Sequence, residues 1–414
     1  MKKQILPGFG LLLCAFSAQS QVVVIPDELT SLTARAPIVY LSESTARFER
    51  EPNTHAWISD VEHVKWDSTG ETFLTNTTQP LYMTGDTIPA NRKFELFPYH
   101  YYKAKYEAQL GQPLNYKLVG INRTTATLTL RIDGLGKTTD WDHYKAWEGA
   151  LRGDGRTTVT LKPGERHVFW EARGLQKDLP WSGIVLGQAD ADLWVADYCY
   201  TSRQDPDPAL EKSKPMPDLA WPPYLLASFS RGSTDWCSAT IELLPHRHDE
   251  QKYLPLSALG SDAHGFAFAY SPGGPITKLA EYKVVQPTFL QDQVFVRDPV
   301  TSYSHTFFGG NYPIMYSIPM RVTNDLSATK TFCFYLASND KWRVDSIIGV
   351  WLNGKMLWRR VPGPKSDAYW RVASVTLKPG ERAAIEPIVI PLGSRWGGML
   401  GVVQVTEAKP ASAK

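Results

Sequence analysis

Cysteine is scarce in this 414-residue chain: there are four, and Cys14 lies in an apolar leader. The other three, Cys199, Cys237 and Cys333, are too few for a four-ligand structural metal cluster. Charge of one sign is equally lacking. The 44 basic residues offset 42 acidic ones, for a net +2, and neither sign forms blocks. A concentrated basic surface for nucleic acid or an anionic membrane is thereby excluded. No apolar run after the leader is long enough to span a bilayer. Also absent are a Walker loop, a dinucleotide fingerprint, a Gly-x-Ser-x-Gly elbow and a His-Glu-x-x-His pair.

What is present begins with an export pattern. Lys2 and Lys3 precede the apolar run Ile5 to Phe16, and Ala18-Gln19-Ser20 offers small residues for cleavage before Gln21. Residues 1–20 therefore read as a signal peptide, and the mature protein as exported to the periplasm or cell surface. In such an oxidising compartment a Cys199–Cys237 disulfide is expected. Cys333, in the apolar run Thr331-Phe332-Cys333-Phe334, reads as a buried free thiol.

One octapeptide occurs twice. Val159-Thr160-Leu161-Lys162-Pro163-Gly164-Glu165-Arg166 returns as Val375-Thr376-Leu377-Lys378-Pro379-Gly380-Glu381-Arg382, 216 positions later (377 − 161). In each copy a strand ends on Leu. Pro then sets φ for the turn, Gly accepts positive φ, and Glu-Arg starts the next strand. A second landmark agrees. Strand patterns flank a turn at Asn122-Arg123-Thr124 and again at Asn324-Asp325, 202 apart (324 − 122), so the second unit carries 14 extra residues (216 − 202) between its landmarks. Leu128, Leu130 and Ile132 alternate with period two, as a strand with one core face does.

Short apolar runs separated by Pro, Gly, Asn and Asp fill most of the chain. The expected fold is all-β: two tandem antiparallel β-sandwiches, jelly-roll or immunoglobulin-like, related by internal duplication. The expected boundaries are 21–200 for the first sandwich, 201–224 for a Pro-rich linker, 225–406 for the second sandwich and 407–414 for a polar tail. One short helical loop is expected over residues 140–151, capped by Asp140, with Tyr144, Trp147 and Leu151 on one face.

The chain resembles an uncharacterised family of exported, β-rich proteins known mainly from cyanobacteria, a domain of unknown function. The residues that carry the likeness are Phe94-Glu95-Leu96-Phe97-Pro98-Tyr99-His100, Gly309-Gly310-Asn311-Tyr312, Tyr316-Ser317-Ile318-Pro319-Met320 with the turn at Asn324, and the Pro-Gly-Glu turns. It runs over most of residues 35–405, and the Trp-bearing helical stretch departs from it. The resemblance implies no activity and no catalytic residue.

Three kinds of candidate site remain. The 14 Trp exceed what two cores need, so Trp141, Tyr144, Trp147, Trp351 and Trp358 are candidates for an exposed aromatic surface. An envelope polysaccharide or another surface protein is the expected partner. Asp190 and Asp192 share a strand face and form a candidate carboxylate pair for a carbohydrate-active hydrolase, although Asp is also an ordinary turn former. His246 and His248, at i and i+2, could share one periplasmic metal ion, although two ligands fit a charged loop better. No cofactor is expected.

Overall fold

The computed structural model describes residues 29–30, 38–41, 46–65, 81–103, 114–176, 178–201, 229–243, 253–268, 296–297, 304–305, 314–338, 346–361, 369–393 and 399–408. Among them the fold is nearly all β, in five sheets with one α-helix and one 3-10 turn. The 8-stranded central sheet includes, in order across it, Phe229–Thr234, Thr54–Lys65, Lys93–Lys103, Pro180–Ala189, Leu128–Thr138 and Thr157–Leu161. A 4-stranded sheet of Arg166–Leu175, Leu114–Ile121, Leu193–Thr201 and Leu81–Ile88 packs on one face of it.

Alternation along the strands sets two cores. Trp57, Leu96 and Val185 face the 4-stranded sheet. Their sequence neighbours Ile58, Phe97 and Ile184 point the other way, into a larger core with Tyr316, Phe334, Val350 and Trp370. The central sheet is thus buried on both faces, as its nearly continuous apolar runs require. Leu128, Leu130 and Ile132 are buried as their alternation predicts.

The strand arrangement around Leu128–Thr138 has a counterpart around Lys330–Ser338. Leu128–Thr138 lies between Thr157–Leu161 and Pro180–Ala189, and Lys330–Ser338 lies between Tyr369–Leu377 and Met399–Glu407. At the next positions, Lys93–Lys103 runs parallel to Thr54–Lys65, and Ala263–Phe268 runs parallel to Val39–Tyr40. The expected boundaries do not separate the sheets, however. Ala46–Arg50 pairs with Ser238–Leu243 and Leu29–Thr30 with Tyr369–Leu377, while Phe229–Thr234 joins Thr54–Lys65 in the central sheet.

The two Asn landmarks become matching clasps. The Asn122 side-chain amide donates to the carbonyls of Ala126 and Leu161, both at 2.8 Å. Asn324 donates to Ala328 at 2.9 Å and Leu377 at 2.8 Å. In each copy the turn Gly N–H donates back to the Asn carbonyl, and the Glu carboxylate accepts from the Lys N–H. Gly164 and Gly380 sit at φ +79° and +77°, which the turn demands and only Gly adopts freely.

Between the clasps the halves differ. After Leu128–Thr138 the first half inserts the helix Tyr144–Arg152, and after Lys330–Ser338 the second inserts the hairpin Ser346–Leu352 and Lys355–Val361. The helix begins later than expected. Asp140 does not cap it; its carboxylate instead accepts from Thr138 Oγ1 at 2.7 Å and from the Asp142 N–H at 2.8 Å. Gly153, at φ +83°, ends the helix, and its N–H donates to the Ala150 carbonyl.

Candidate functional site

The helix is seated by glycine. A Cβ at Gly134 would lie 1.9 Å from the Ala150 carbonyl oxygen, and one at Gly136 only 1.6 Å from that of Ala146. Backbone thus rests directly on backbone, and Ala146, Trp147 and Ala150 are driven into the larger core. Trp147 is 2% exposed, which corrects its assignment as a binding residue: it is core.

The segment leading into the helix lies over the end of the central sheet. Trp141 is 57% exposed, and its ring lies 5.4 Å from that of Tyr101. His143 packs 4.9 Å from the Tyr99 ring, and its Nδ1 lies 3.2 Å from Ser182 Oγ. Tyr99 and Ser182 are cross-strand partners, so the imidazole covers one rung of the ladder. Burial lowers the His143 pKa to about 4 against the pull of Asp140 and Asp142, leaving a neutral ring at physiological pH. Phe97 and Tyr99 stack at 6.3 Å along the same strand face.

Carboxylates rim this aromatic group. Lys145 bridges Asp142 at 2.5 Å and Asp140 at 3.4 Å. The Thr138 hydroxyl is the main influence holding the Asp140 carboxyl below its usual range. Asp178, at φ +60°, stands beside the Tyr101 hydroxyl. Burial first, then this carboxylate, raises the phenol's pKa.

The second aromatic contact joins the two inserts. Tyr144 of the helix stacks on Trp358 of the hairpin, with centroids 4.9 Å apart and planes at 17°. Trp358 keeps 44% exposure, and Trp351 on the facing strand is half-buried. The structure therefore gathers Trp141, Tyr144 and Trp358 around the helix and the hairpin it touches. It adds Tyr99, Tyr101 and His143, which the sequence reading did not single out. Their signal was available: Phe97, Tyr99 and Tyr101 alternate on one strand, and His143 sits in the Trp-bearing stretch.

The other candidates resolve differently. Asp190 Oδ1 accepts the Thr129 N–H at 2.7 Å, and Asp192 Oδ1 accepts the Ala90 N–H at 2.9 Å. Each carboxylate accepts from a backbone N–H. Cys199 and Cys237 are buried free thiols, which corrects the expected disulfide. Cys199 belongs to the core of the first sandwich, where its Sγ lies 3.3 Å from Met83 Sδ, and Cys237 to the larger core. Cys333 is a buried free thiol as expected. His246 and His248 lie outside the described residues, as do residues 1–20 and the linker 201–224. Among the described residues no group of three or more His, Cys, Asp or Glu is placed to hold a metal, and no helix is long and apolar enough to cross a membrane.

A buried network ties the two sheets of the first sandwich. His100 Nε2 lies 2.9 Å from Asp197 Oδ2, and the Tyr116 hydroxyl donates to the same oxygen at 3.1 Å. The Thr84 N–H donates to Oδ1 at 3.0 Å. His100, Tyr116 and Asp197 are wholly buried, so this is a structural brace.

No protein-family model matches the chain, and no curated protein matches it. Among solved structures it is similar to the PBSX exported protein XepA, at 11% identity and TM-score 0.16, over 82% of this chain and 92% of that one. It is also similar to the N-terminal CBM22-1-CBM22-2 tandem domain of Paenibacillus barcinonensis Xyn10C, at 9% identity and TM-score 0.12, over 73% of this chain and 74% of that one. A third likeness is to a salicylate 1,2-dioxygenase from Pseudaminobacter salicylatoxidans, at 10% identity and TM-score 0.11, over 77% and 69%. At these scores the likenesses carry no argument about function.

Proposed function

We propose that the protein is an exported cell-envelope binding protein that contacts polysaccharide through the aromatic surface around Trp141. The observation that carries this reading is a 57% exposed Trp ring seated on Tyr101 and rimmed by Asp140, Asp142 and Asp178. A flat ring stacks on the C–H face of a sugar, and adjacent carboxylates accept from its hydroxyls. A protein partner would favour a different surface, because Asp and Lys are depleted at the centres of protein interfaces. Here Asp142, next to Trp141 in the chain, is paired with Lys145.

The test is titration of the full-length protein with neutral and acidic envelope polysaccharides, read by Trp fluorescence. Binding should perturb the emission, and Trp141→Ala should abolish the response while changing stability by less than about 0.5 kcal/mol. Wild-type affinity in Trp141→Ala, or no polysaccharide that perturbs the emission, sinks the reading. Export is checked separately: the N-terminal sequence of the mature protein should begin at Gln21.

A further inference from the structure

We infer that the binding surface runs on from Trp141 to Trp358, so that its ligand is an extended glycan chain engaging two indole rings at once. This deepens the polysaccharide reading and rests on it. Among the described residues the exposed large apolar side chains are Val39, Val168 and two indoles, Trp141 and Trp358. Both indoles stand at one helix. Trp141 lies three positions before Tyr144, which opens the helix and stacks on Trp358 at 4.9 Å. The link from Trp141 to Tyr144 is curled: the Lys145 N–H donates to the Asp142 carbonyl, and the Ala146 N–H to that of His143. Even drawn straight, that link would hold the two indoles within about 25 Å of each other. The curl brings them nearer.

The stretch between the indoles suits a sugar chain. The His143 ring lies 6.3 Å from that of Trp141, and His143 and Tyr144 are each half-buried. Asp142, 44% exposed, has carboxylate oxygens to accept from sugar hydroxyls. Both indoles are positioned before a ligand arrives, Trp141 against Tyr101 at 5.4 Å and Trp358 against Tyr144. One ring covers one sugar. A second fixed ring adds a contact only for a chain long and straight enough to reach it, and that contact then forms at high effective concentration. An equatorially linked β-glucan is such a chain, extended and with an apolar C–H face on each sugar for an indole to stack on. A short or coiled glycan reaches one ring and gains nothing from the other.

The experiment measures, by calorimetry on the full-length protein, the affinities of a linear β-glucan disaccharide and hexasaccharide. A longer chain also offers more registers to a single ring, so the decisive quantity is how the hexasaccharide-to-disaccharide affinity ratio changes on substitution. Trp358→Ala should lower that ratio about fivefold, the worth of one aromatic contact. Trp358→Phe, which keeps a ring against Tyr144, should restore most of it and so separates loss of the ring from damage to the hairpin. Trp141→Ala should weaken both oligomers.

A ratio unchanged in Trp358→Ala overturns the inference while leaving the polysaccharide reading intact. So does a ratio that falls as far in Trp358→Phe as in Trp358→Ala, or a wild type that binds both oligomers equally well. A wild type that binds neither oligomer, while another envelope polysaccharide perturbs its Trp emission, also overturns it. If no glycan binds at all, the polysaccharide reading fails and this inference fails with it.

Discussion

The strands around the two octapeptide turns are arranged alike, and the segments inserted between them differ. The Asn122 and Asn324 amides donate to equivalent carbonyls, because a buried amide must satisfy the same carbonyls wherever a strand ends beside that Lys-Pro-Gly-Glu turn. Between them the first half carries a helix and the second a hairpin, and these unlike inserts touch through Tyr144 and Trp358. The difference separates what fixes the strands from what decorates them. The repeated elements are buried polar and turn chemistry, whereas the exposed aromatics lie on and beside the inserts.

The sharpest way to break this comparison is to unseat one insert. Gly136→Val would drive a side chain into the Ala146 carbonyl, and neither backbone can give way cheaply. A destabilisation of about 4 kcal/mol is expected, with loss of the Trp near-UV signal from the helix and hairpin. In the other insert, Gly349→Ala meets Met356 Cε at 2.4 Å and Leu392 Cδ1 at 2.8 Å, both ends of flexible side chains. Its cost should be about 1 kcal/mol. Urea unfolding of both variants measures the contrast, and equal costs would mean that the helix is not seated on strand backbone.

The clasps should respond alike. Asn122→Ala and Asn324→Ala each strip a side-chain partner from two carbonyls, for about 3 kcal/mol apiece. Being distant, the two losses should add to within about 0.5 kcal/mol in the double variant. A clearly cheaper loss at either site would show that the shared geometry hides unequal burial or strain.

Much of the frame was legible in the sequence, and most of the site was not. A turn is local chemistry, so Lys162-Pro163-Gly164-Glu165 announced itself, and the alternation of Leu128, Leu130 and Ile132 declared a strand. Pairing across the chain has no such local signal. Nothing in Ala46–Arg50 specifies Ser238–Leu243 as its neighbour, so sheets shared across the expected linker were not foreseen. The expected disulfide failed for a related reason, since composition cannot tell that two thiols belong to different cores. Trp141 and Trp147 are six positions apart and identical in kind, yet only the docking of the helix on Gly134 and Gly136 decides which is exposed.

Titration should distinguish the frames next. The central sheet buries His55 and Glu95, and among the described residues neither side chain has a hydrogen-bond partner. Burial lowers the His55 pKa to about 4. The unfolded chain therefore takes up a proton that the folded one refuses, and stability, whole above pH 6.5, falls as pH drops toward 4. The loss should reach roughly 2–3 kcal/mol and be flattened in His55→Leu. Glu95 runs the other way. Burial raises its pKa, so the folded state keeps a proton that the unfolded chain sheds, and stability erodes as pH rises. Glu95→Gln should flatten that alkaline limb. The corresponding sheet of the second half buries Cys333 and Tyr335, whose pKa values burial raises, and neither gains charge on acidification. If hydrogen exchange at pH 4.5 shows Lys330–Ser338 opening before Lys93–Lys103, the acid-sensitive group has been placed in the wrong frame.

The smallest effect tests whether the inserts support one another or merely touch. A double-mutant cycle on Tyr144→Ala and Trp358→Ala isolates the stacking term from the packing each ring makes alone. Rings stacked at 4.9 Å should give a coupling of about 1 kcal/mol. Because Trp358 remains 44% exposed, its single substitution should cost little beyond that term. A coupling near zero would leave helix and hairpin as independent decorations on similar frames. A coupling of the expected size makes the contact a joint, through which a ligand on the Trp141 surface could be felt in the hairpin of the other half.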